Sequence, residues 1–509
     1  MSQKGRSEIL PNVLASWLAF SASAVIGFVM PRLILDNVGH ELLGVWDLCW
    51  SFLAFISFSG IGTGSAIGHY TARTRKDVGL ASKVFATGLY LQLVIGVLLA
   101  TLFGFLISVL PNFLISYEFV QIDEISTIGL LISSTVVVVL LGEIAHGCLL
   151  GNHEARTSEY INVAHDITLA ISMVIVLIAG LGIVGLAQVT LIIRCLFELA
   201  RFWVVLTRVD AATVNPMSVR APVAKRLVLF AAKSSIYGLQ ELVVFQTVRF
   251  LFFIGVGPVV FAAFSRYSTL ARQINRLVDR LVIPIPALAS DLSARGDLVR
   301  IKRMYMYGLK GVLMLSIPAL VLFGVLGDTI VTLWMGADFV IPELAWIFCA
   351  ACMLHTHYSM SAKIIRGINV HGRISAYCLA ASIVVLAASY AFFRPADAYQ
   401  AAWLIALIMV LCVQVPVIFF TWRRLNLSIL TQLKNIYLMP VLLNALFFLA
   451  VYQSRILLGN GYPTSALLLT AAGGLLLLTA YWFFVCDEQM REKFRETFLQ
   501  NPPLSVLKG

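Results

Sequence analysis

Charge is what this chain has least of. Asp, Glu, Lys and Arg together supply 12% of its 509 residues, about half the share found in soluble domains. That scarcity excludes a water-soluble globular protein. It also excludes a soluble domain inserted between apolar stretches, because no polar run is long enough to fold alone. Acidic residues are the scarcer sign, 26 against 37 Lys and Arg. The basic excess sits in short groups between apolar runs, which excludes a nucleic-acid-binding face. Cysteine is sparse as well. The eight present lie almost entirely within apolar segments, so a disulfide framework is excluded. Cys349, Cys352, His355 and His357 imitate a metal-ligand spacing. On one helix they spread around the circumference and cannot converge on one ion. No metal, cofactor or catalytic residue is expected.

What is present is apolar sequence. Hydrophobic residues make up 60% of the chain, in runs long enough to cross ~30 Å of hydrocarbon. They read as about fourteen spans, near 10–33, 42–66, 84–108, 126–149, 158–179, 183–206, 228–252, 258–286, 306–328, 342–363, 373–393, 399–421, 436–454 and 464–486. The fold class is therefore an all-α polytopic membrane protein. The first run begins near Ile9. It is long, lacks a small-residue cleavage site and is followed by further spans, so it reads as a retained helix.

Loop charge orients the spans. Lys and Arg favour cytoplasmic loops. Lys4 and Arg6 precede the first span; Arg73, Arg75, Lys76 and Lys83 follow the second. Arg208, Arg220, Lys225 and Arg226 follow the sixth, and Arg295, Arg300, Lys302 and Arg303 follow the eighth. The alternate loops carry Asp36, Glu41, Glu118, Asp123, Glu124, Asp328, Asp338 and Glu343. Both termini are expected to be cytoplasmic, in an inner (cytoplasmic) membrane.

One stretch departs from the apolar background. Tyr267 to Pro286 carries Arg272, Arg276, Asp279 and Arg280. At 100° per residue the three arginines form one stripe, with Arg266 on the same broad arc and Leu270, Ile274, Leu277 and Leu281 opposite. The loop-charge alternation requires this segment to cross the membrane. Its charged face then lines a wet cavity or packs on partners. The other reading is an interfacial amphipathic helix.

A repeat is also visible. Pro31–Trp46, PRLILDNVGHELLGVW, and Val248–Phe264, VRFLFFIGVGPVVFAAF, each join two long spans. With a one-residue gap Arg32 meets Arg249 and Gly39 meets Gly257. Six helices separate the units, which implies parallel halves about the membrane normal, followed by two added helices. The division is 1–207, an N-terminal six-helix lobe; 208–227, a cytoplasmic linker; 228–422, a C-terminal six-helix lobe; 423–486, two additional helices; and 487–509, a cytoplasmic tail.

These segments resemble a known family. The block from Leu42 through GVWDLCWSFLAFISFSGIGTGSAIGHYTAR to Arg73 looks like the opening of polysaccharide-unit flippases of the multidrug/oligosaccharidyl-lipid/polysaccharide exporter superfamily. Also similar are FAAFSRYSTLARQINRLVDRLVIPIPALASDLSARGD from Phe261 to Asp297, the turn WMGADFV, and RGINVHGR from Arg366 to Arg373. The resemblance covers about the first 420 residues as a pattern of turns and spacing. It implies two six-helix lobes around a central cavity, alternating access, and a polyprenyl-diphosphate-linked oligosaccharide as cargo. Cell-surface polysaccharide biosynthesis is the implied process, with polymerase machinery as a partner. One departure is Val248, which precedes Arg249 where many relatives carry an acid.

A diphosphate calls for cations, and guanidinium matches its oxygens bidentately. Arg272, Arg276, Arg266 and Arg280 are the substrate-binding candidates, with Lys233 and Lys310. Arg276 and Asp279, at i,i+3, are also spaced for an ion pair. Arg32 and Arg249, near outer helix ends, are gate candidates or snorkelling anchors. Glu143 and His146 lie one turn apart, with His165 and Asp166 at similar depth; these groups suit H+ or Na+ coupling. Arg194, Glu198 and Arg201 share one stripe and read as an intrahelical ion-pair ladder. An ion-coupled exporter of small molecules on the same fold is the alternative, and a glycan polymerase or ligase is a more distant one. Such enzymes present large external catalytic loops, and the external loops here are short.

Overall fold

The computed structural model describes residues 3–74, 77–114, 122–152, 154–210, 212–283, 285–392, 396–432, 436–458 and 463–485. These residues form helices and no strand, as a multi-pass chain in lipid requires, since each backbone polar group must be satisfied within its own segment. The chain divides into two compact units, Met1–Ala262 with Phe393–Ala396, and Ala263–Phe392 with Asp397–Gly509.

The first unit contains α1 (Gln3–Thr74), α2 (Val78–Leu114), α3 (Ile122–Gly151), α4 (Ala155–Ile178), α5 (Gly182–Arg208) and α6 (Ala221–Val256). α7 (Pro258–Leu281) starts there and continues into the second unit. The second unit goes on with α8 (Ile285–Ala294), α9 (Leu298–Met335), α10 (Leu344–Met353), α11 (His355–Gly367), α12 (His371–Phe392), α13 (Ala398–Ile408), α14 (Val415–Arg424), α15 (Ile429–Gln432), α16 (Leu438–Leu458) and α17 (Pro463–Phe484). Eight helices among the described residues are long and apolar enough to cross a membrane. Each expected span falls on helix, the first two as the arms of α1 on either side of Gly39.

The turns explain the bends. Gly39 has φ 86° and ψ 176°, and Gly257 has φ 83° and ψ 172°. Only glycine adopts this backbone cheaply. The two positions paired by the repeat thus share one conformation. Pro258 then opens α7, its fixed φ suited to a first helical turn.

Three spans differ in detail from their expected form. The eighth ends at Leu281, short of Pro286, and a separate helix starts at Ile285. The tenth is two helices, α10 and α11, meeting at Leu354. The twelfth contains a π-helical turn at Met409–Gln414, whose wider winding turns the Gln414 amide towards the Ala351 carbonyl, 3.1 Å away.

Lipid tails are as apolar as leucine, so close packing rather than desolvation holds such helices together. In the first unit α1 and α3 cross through paired glycines, Gly64 and Gly68 against Gly147 and Gly151. A methyl group at Gly147 would fall 2.2 Å from the Gly64 carbonyl oxygen. Around this crossing pack Ala66, Ile67, Phe85, Ile144, Leu149 and Val205. The second unit has a core of Val278, Ile301, Leu309, Leu313, Met360 and Ile364. A smaller cluster joins Val325 and Leu326 of α9 to Phe447 and Tyr481 of α16 and α17.

Candidate functional site

The arginine stripe lies on α7. This helix buries Tyr267, Ala271 and Val278, with Val282 just past its end, residues that share one face at helical spacing. The expected apolar stripe Leu270, Ile274, Leu277 and Leu281 is only half-buried, so the helix is rotated relative to the simple amphipathic picture. Arg276 and Arg280 stand opposite the buried face and are exposed; Arg272 is half-buried. Arg272 Nη2 donates to Thr269 Oγ1 at 3.2 Å. Among the described residues Arg276 has no hydrogen-bond or ion-pair partner.

The expected Arg276–Asp279 pair does not form. Asp279 turns instead to α11, accepting from Ser359 Oγ at 2.5 Å and lying 3.5 Å from His355 Nε2. Two fixed partners on an adjacent helix capture a carboxylate better than a flexible arginine on the open side.

Arg266 separates from the stripe. It is 2% exposed, with its guanidinium over the Trp334 ring at 5.6 Å, a cation–π contact. Beside it, Tyr267 donates to Asp328 Oδ1 at 2.8 Å and accepts from the Ile341 N–H at 3.2 Å. Lys310 is half-buried on α9 and has no hydrogen-bond or ion-pair partner among the described residues. The Lys233 side chain lies outside the described residues.

The first unit holds a different cluster. Arg194 Nε lies 3.2 Å from Glu198 Oε1. Arg201 Nη1 donates to both Glu198 oxygens, at 2.9 and 2.7 Å, and its Nη2 donates to Asn162 Oδ1 of α4 at 2.5 Å. Glu198 and Arg201 are each 3% exposed. The ladder read from spacing is therefore real, and α4 extends it. Gly142 of α3 gives the carboxylate its room, since a methyl group there would fall 2.2 Å from it.

Glu143 is half-buried and within electrostatic reach of Arg194, Arg201 and Glu198. Next to it, His146 Nδ1 and Ser158 Oγ share a hydrogen bond at 2.6 Å. His165 pairs with its neighbour Asp166 at 2.9 Å and meets the Phe197 ring edge-on. Of the four coupling candidates, Glu143 and His146 border the ladder. His165 reaches α5 through its ring, one residue before Glu198.

The gate candidates differ from each other. Arg32 is exposed and paired with Asp36 at 3.1 Å, as a surface anchor would be. Arg249 is 3% exposed, its guanidinium 5.2 Å from the Phe261 ring centre, which departs from the snorkelling expected of it.

A fourth group was not legible in the sequence. His357 of α11 is buried among Tyr305, Ser361, Trp422 and Tyr437. Its Nε2 meets Tyr305 Oη at 2.5 Å and accepts from Trp422 Nε1 at 2.9 Å. Its Nδ1 meets the Tyr437 hydroxyl, and Tyr305 Oη also contacts Ser361 Oγ at 3.0 Å. Cys349 and Cys352 point elsewhere, to the carbonyls of Leu320 and Ala271. Among the described residues no group of His, Cys, Asp and Glu could hold a metal ion.

Solved transporters share this fold. An inward-facing multidrug resistance MATE family transporter of the MOP superfamily superposes with a TM-score of 0.66 at 14% identity, over 80% of this chain and 94% of the other. An outward-facing MATE family transporter gives 0.59 at 13% identity, over 82% and 96%. A MOP superfamily transporter from Pyrococcus furiosus, described as having a binding pocket of reversed polarity, gives 0.57 at 15% identity, over 82% and 96%. No family model and no curated protein matches the sequence. The chain thus has the fold of MOP superfamily transporters, as the sequence resemblance implied. At this identity the likeness is one of fold.

Proposed function

We propose that the protein is an alternating-access transporter that exports an anionic, or anion-bearing amphipathic, molecule across the cytoplasmic membrane. The observation that carries this reading is the face of α7 opposite its buried side. Arg276 and Arg280 are exposed there and Arg272 is half-buried. Guanidinium groups at membrane depth do not face lipid, so this face meets water or cargo. Its chemistry selects phosphate or carboxylate, where a cationic drug would call for carboxylates. Translocation of this kind needs no covalent chemistry and no cofactor.

Two cargo classes fit. Ion-coupled export of small molecules is supported by the comparisons, because the solved structures of this fold include multidrug transporters, and the arginine face points to anionic ones. Fold alone does not fix cargo, and the reversed pocket polarity described for the Pyrococcus furiosus protein is put forward there as a sign of a different function. The second reading is flipping of a polyprenyl-diphosphate-linked oligosaccharide for cell-surface polysaccharide assembly, beside a polymerase. It rests on the family-like blocks Leu42–Arg73 and Phe261–Asp297 and on the same arginines.

In either case the working parts are lobes at 1–207 and 228–422, both termini are cytoplasmic, and H+ or Na+ coupling runs through Glu143, His146, His165 and Asp166. Arg32 and Arg249 flank the gate at the outer helix ends, and Lys310 and Lys233 support the cationic face, whereas Arg266 is turned away against Trp334.

The test is transport in proteoliposomes with two cargoes, an anionic fluorescent dye and a lipid-diphosphate-linked oligosaccharide. Arg272→Ala combined with Arg276→Ala should reduce movement of the true cargo by more than tenfold, on the order expected from losing two charge-assisted contacts, while insertion is unchanged. Whichever cargo moves in the wild type decides between the classes. Wild-type transport of that cargo by the double variant would overturn the arginine role.

A further inference from the structure

Away from the ionic cluster, the first unit contains a cavity of about 380 Å³ where the ends of α1, α2 and α6 meet. Its composition is two-sided. Leu80 and Val84 of α2 and Val223 and Leu227 of α6 give it apolar walls, while Arg73 of α1 and Arg226 of α6 stand at it as cations. Both arginines are exposed, and among the described residues neither has a hydrogen-bond or ion-pair partner. The nearest acid in sequence, Asp77, is already engaged, its Oδ1 accepting the Leu80 N–H at 2.9 Å as the cap of α2. The aromatic wall behind Tyr70 is fixed, with Phe230 stacked on His69 at 4.7 Å and edge-on to Tyr70 at 5.9 Å.

The position matters as much as the lining. α2 opens at Val78 and its apolar run, read from the sequence as 84–108, starts at Val84 in the cavity wall, so by this reading the cavity lies where that helix enters hydrocarbon. Its charged side is at the water boundary and its apolar side is within lipid reach. A free inorganic anion would use the two guanidinium groups and gain nothing from the valine and leucine walls. A molecule that joins a phosphate to an acyl chain uses both. Basic pockets between membrane helices take anionic head groups in this way, and arginine is suited to the phosphate.

We propose that this cavity binds the head group of an anionic phospholipid from the leaflet it opens to. The proposal rests on the first unit alone and is independent of the cargo. Lipid held there ties α1, α2 and α6 together at one edge, because its phosphate bridges Arg73 and Arg226.

The experiment is a thermal-melting titration of the purified full-length protein in neutral detergent, with phosphatidylglycerol, phosphatidylcholine or inorganic phosphate. A ligand that binds only the folded state raises the melting midpoint in proportion to its occupancy. Phosphatidylglycerol should raise the midpoint well above phosphatidylcholine, and inorganic phosphate at the same concentration should leave it unchanged. The Arg73→Gln, Arg226→Gln double variant should bind phosphatidylglycerol about tenfold more weakly or worse and melt like the wild type without lipid. Val223→Trp, which narrows the cavity and keeps both arginines, should also lose the phosphatidylglycerol response. Lys225→Gln, adjacent in sequence but outside the lining, should retain it. Equal shifts with the two lipids would overturn the proposal, as would a phosphate shift matching that of the lipid. A Lys225→Gln loss as large as that of the double variant would also overturn it, because binding would then be diffuse.

Discussion

The two units each bury a polar cluster in apolar surroundings, and the clusters are built on opposite principles. In the first unit Arg194, Glu198 and Arg201 are ionic, joined to Asn162 and bordered by Glu143. In the second, Tyr305, His357, Ser361, Trp422 and Tyr437 are neutral. An indole N–H only donates, so His357 Nε2 accepts and Nδ1 carries the proton. That fixes one uncharged tautomer and leaves each group a partner. The ionic cluster depends on charge balance. Removing one member leaves another charge buried without compensation, which costs more than the pair contributes. The neutral cluster spreads its stabilisation over several bonds of ordinary strength. This difference marks the second cluster as a structural clamp tying α9, α11 and α14 to Tyr437, just ahead of α16.

Breaking the comparison starts with its most sensitive member. Glu198→Ala should destabilise by about 3–5 kcal/mol, because Arg201 and Arg194 lose their shared carboxylate. The check is the melting midpoint in detergent, followed by tryptophan fluorescence. Glu198→Gln, which keeps the shape and removes the charge, should fall nearly as far; wild-type melting of the glutamine variant would show that charge is not what matters there. His357→Phe should cost less, about 1–3 kcal/mol, for the partners left unsatisfied, and the loss should not depend on salt. A His357→Phe loss larger than that of Glu198→Ala would reverse the proposed ranking. Glu143→Gln should have the smallest effect on stability, since Glu143 borders the ladder while Glu198 forms the ion pairs within it. Its effect belongs to function: transport should lose its dependence on an imposed H+ or Na+ gradient, and unchanged dependence would remove Glu143 from coupling.

Much of this organisation was legible in the sequence where it depends on local spacing. Arg194, Glu198 and Arg201 fall on one helical stripe at i, i+4 and i+7, and they form the ladder that spacing implies. Gly39 and Gly257 could be paired by their surroundings, and both adopt the same left-sided backbone. What spacing does not reveal is which neighbour wins when several are available. Arg276 and Asp279 are well placed for a pair, yet Asp279 turns to Ser359 and His355, supplied by a helix 80 residues further on in the case of Ser359. Asn162 joins Arg201 across 39 residues. The aromatic clamp is the extreme case: Tyr305 and Trp422 are 117 residues apart, and no local pattern marks either as polar partner to a histidine. The rotation of α7 also escaped pattern reading, because its leucine stripe and its buried stripe are different faces.

The contact between Gly142 and Glu198 has a consequence for how the sequence can change over time. A side chain at position 142 is admissible only after position 198 has become small, because a methyl group would fall 2.2 Å from the carboxylate. Shrinking position 198 first strands Arg201, which is 3% exposed. Either order of single replacements passes through a damaged intermediate, so the two sites drift together or not at all. Gly142 is thereby held by a charge on a different helix, and a lineage that replaced it would be expected to have first dismantled the Arg201 pair.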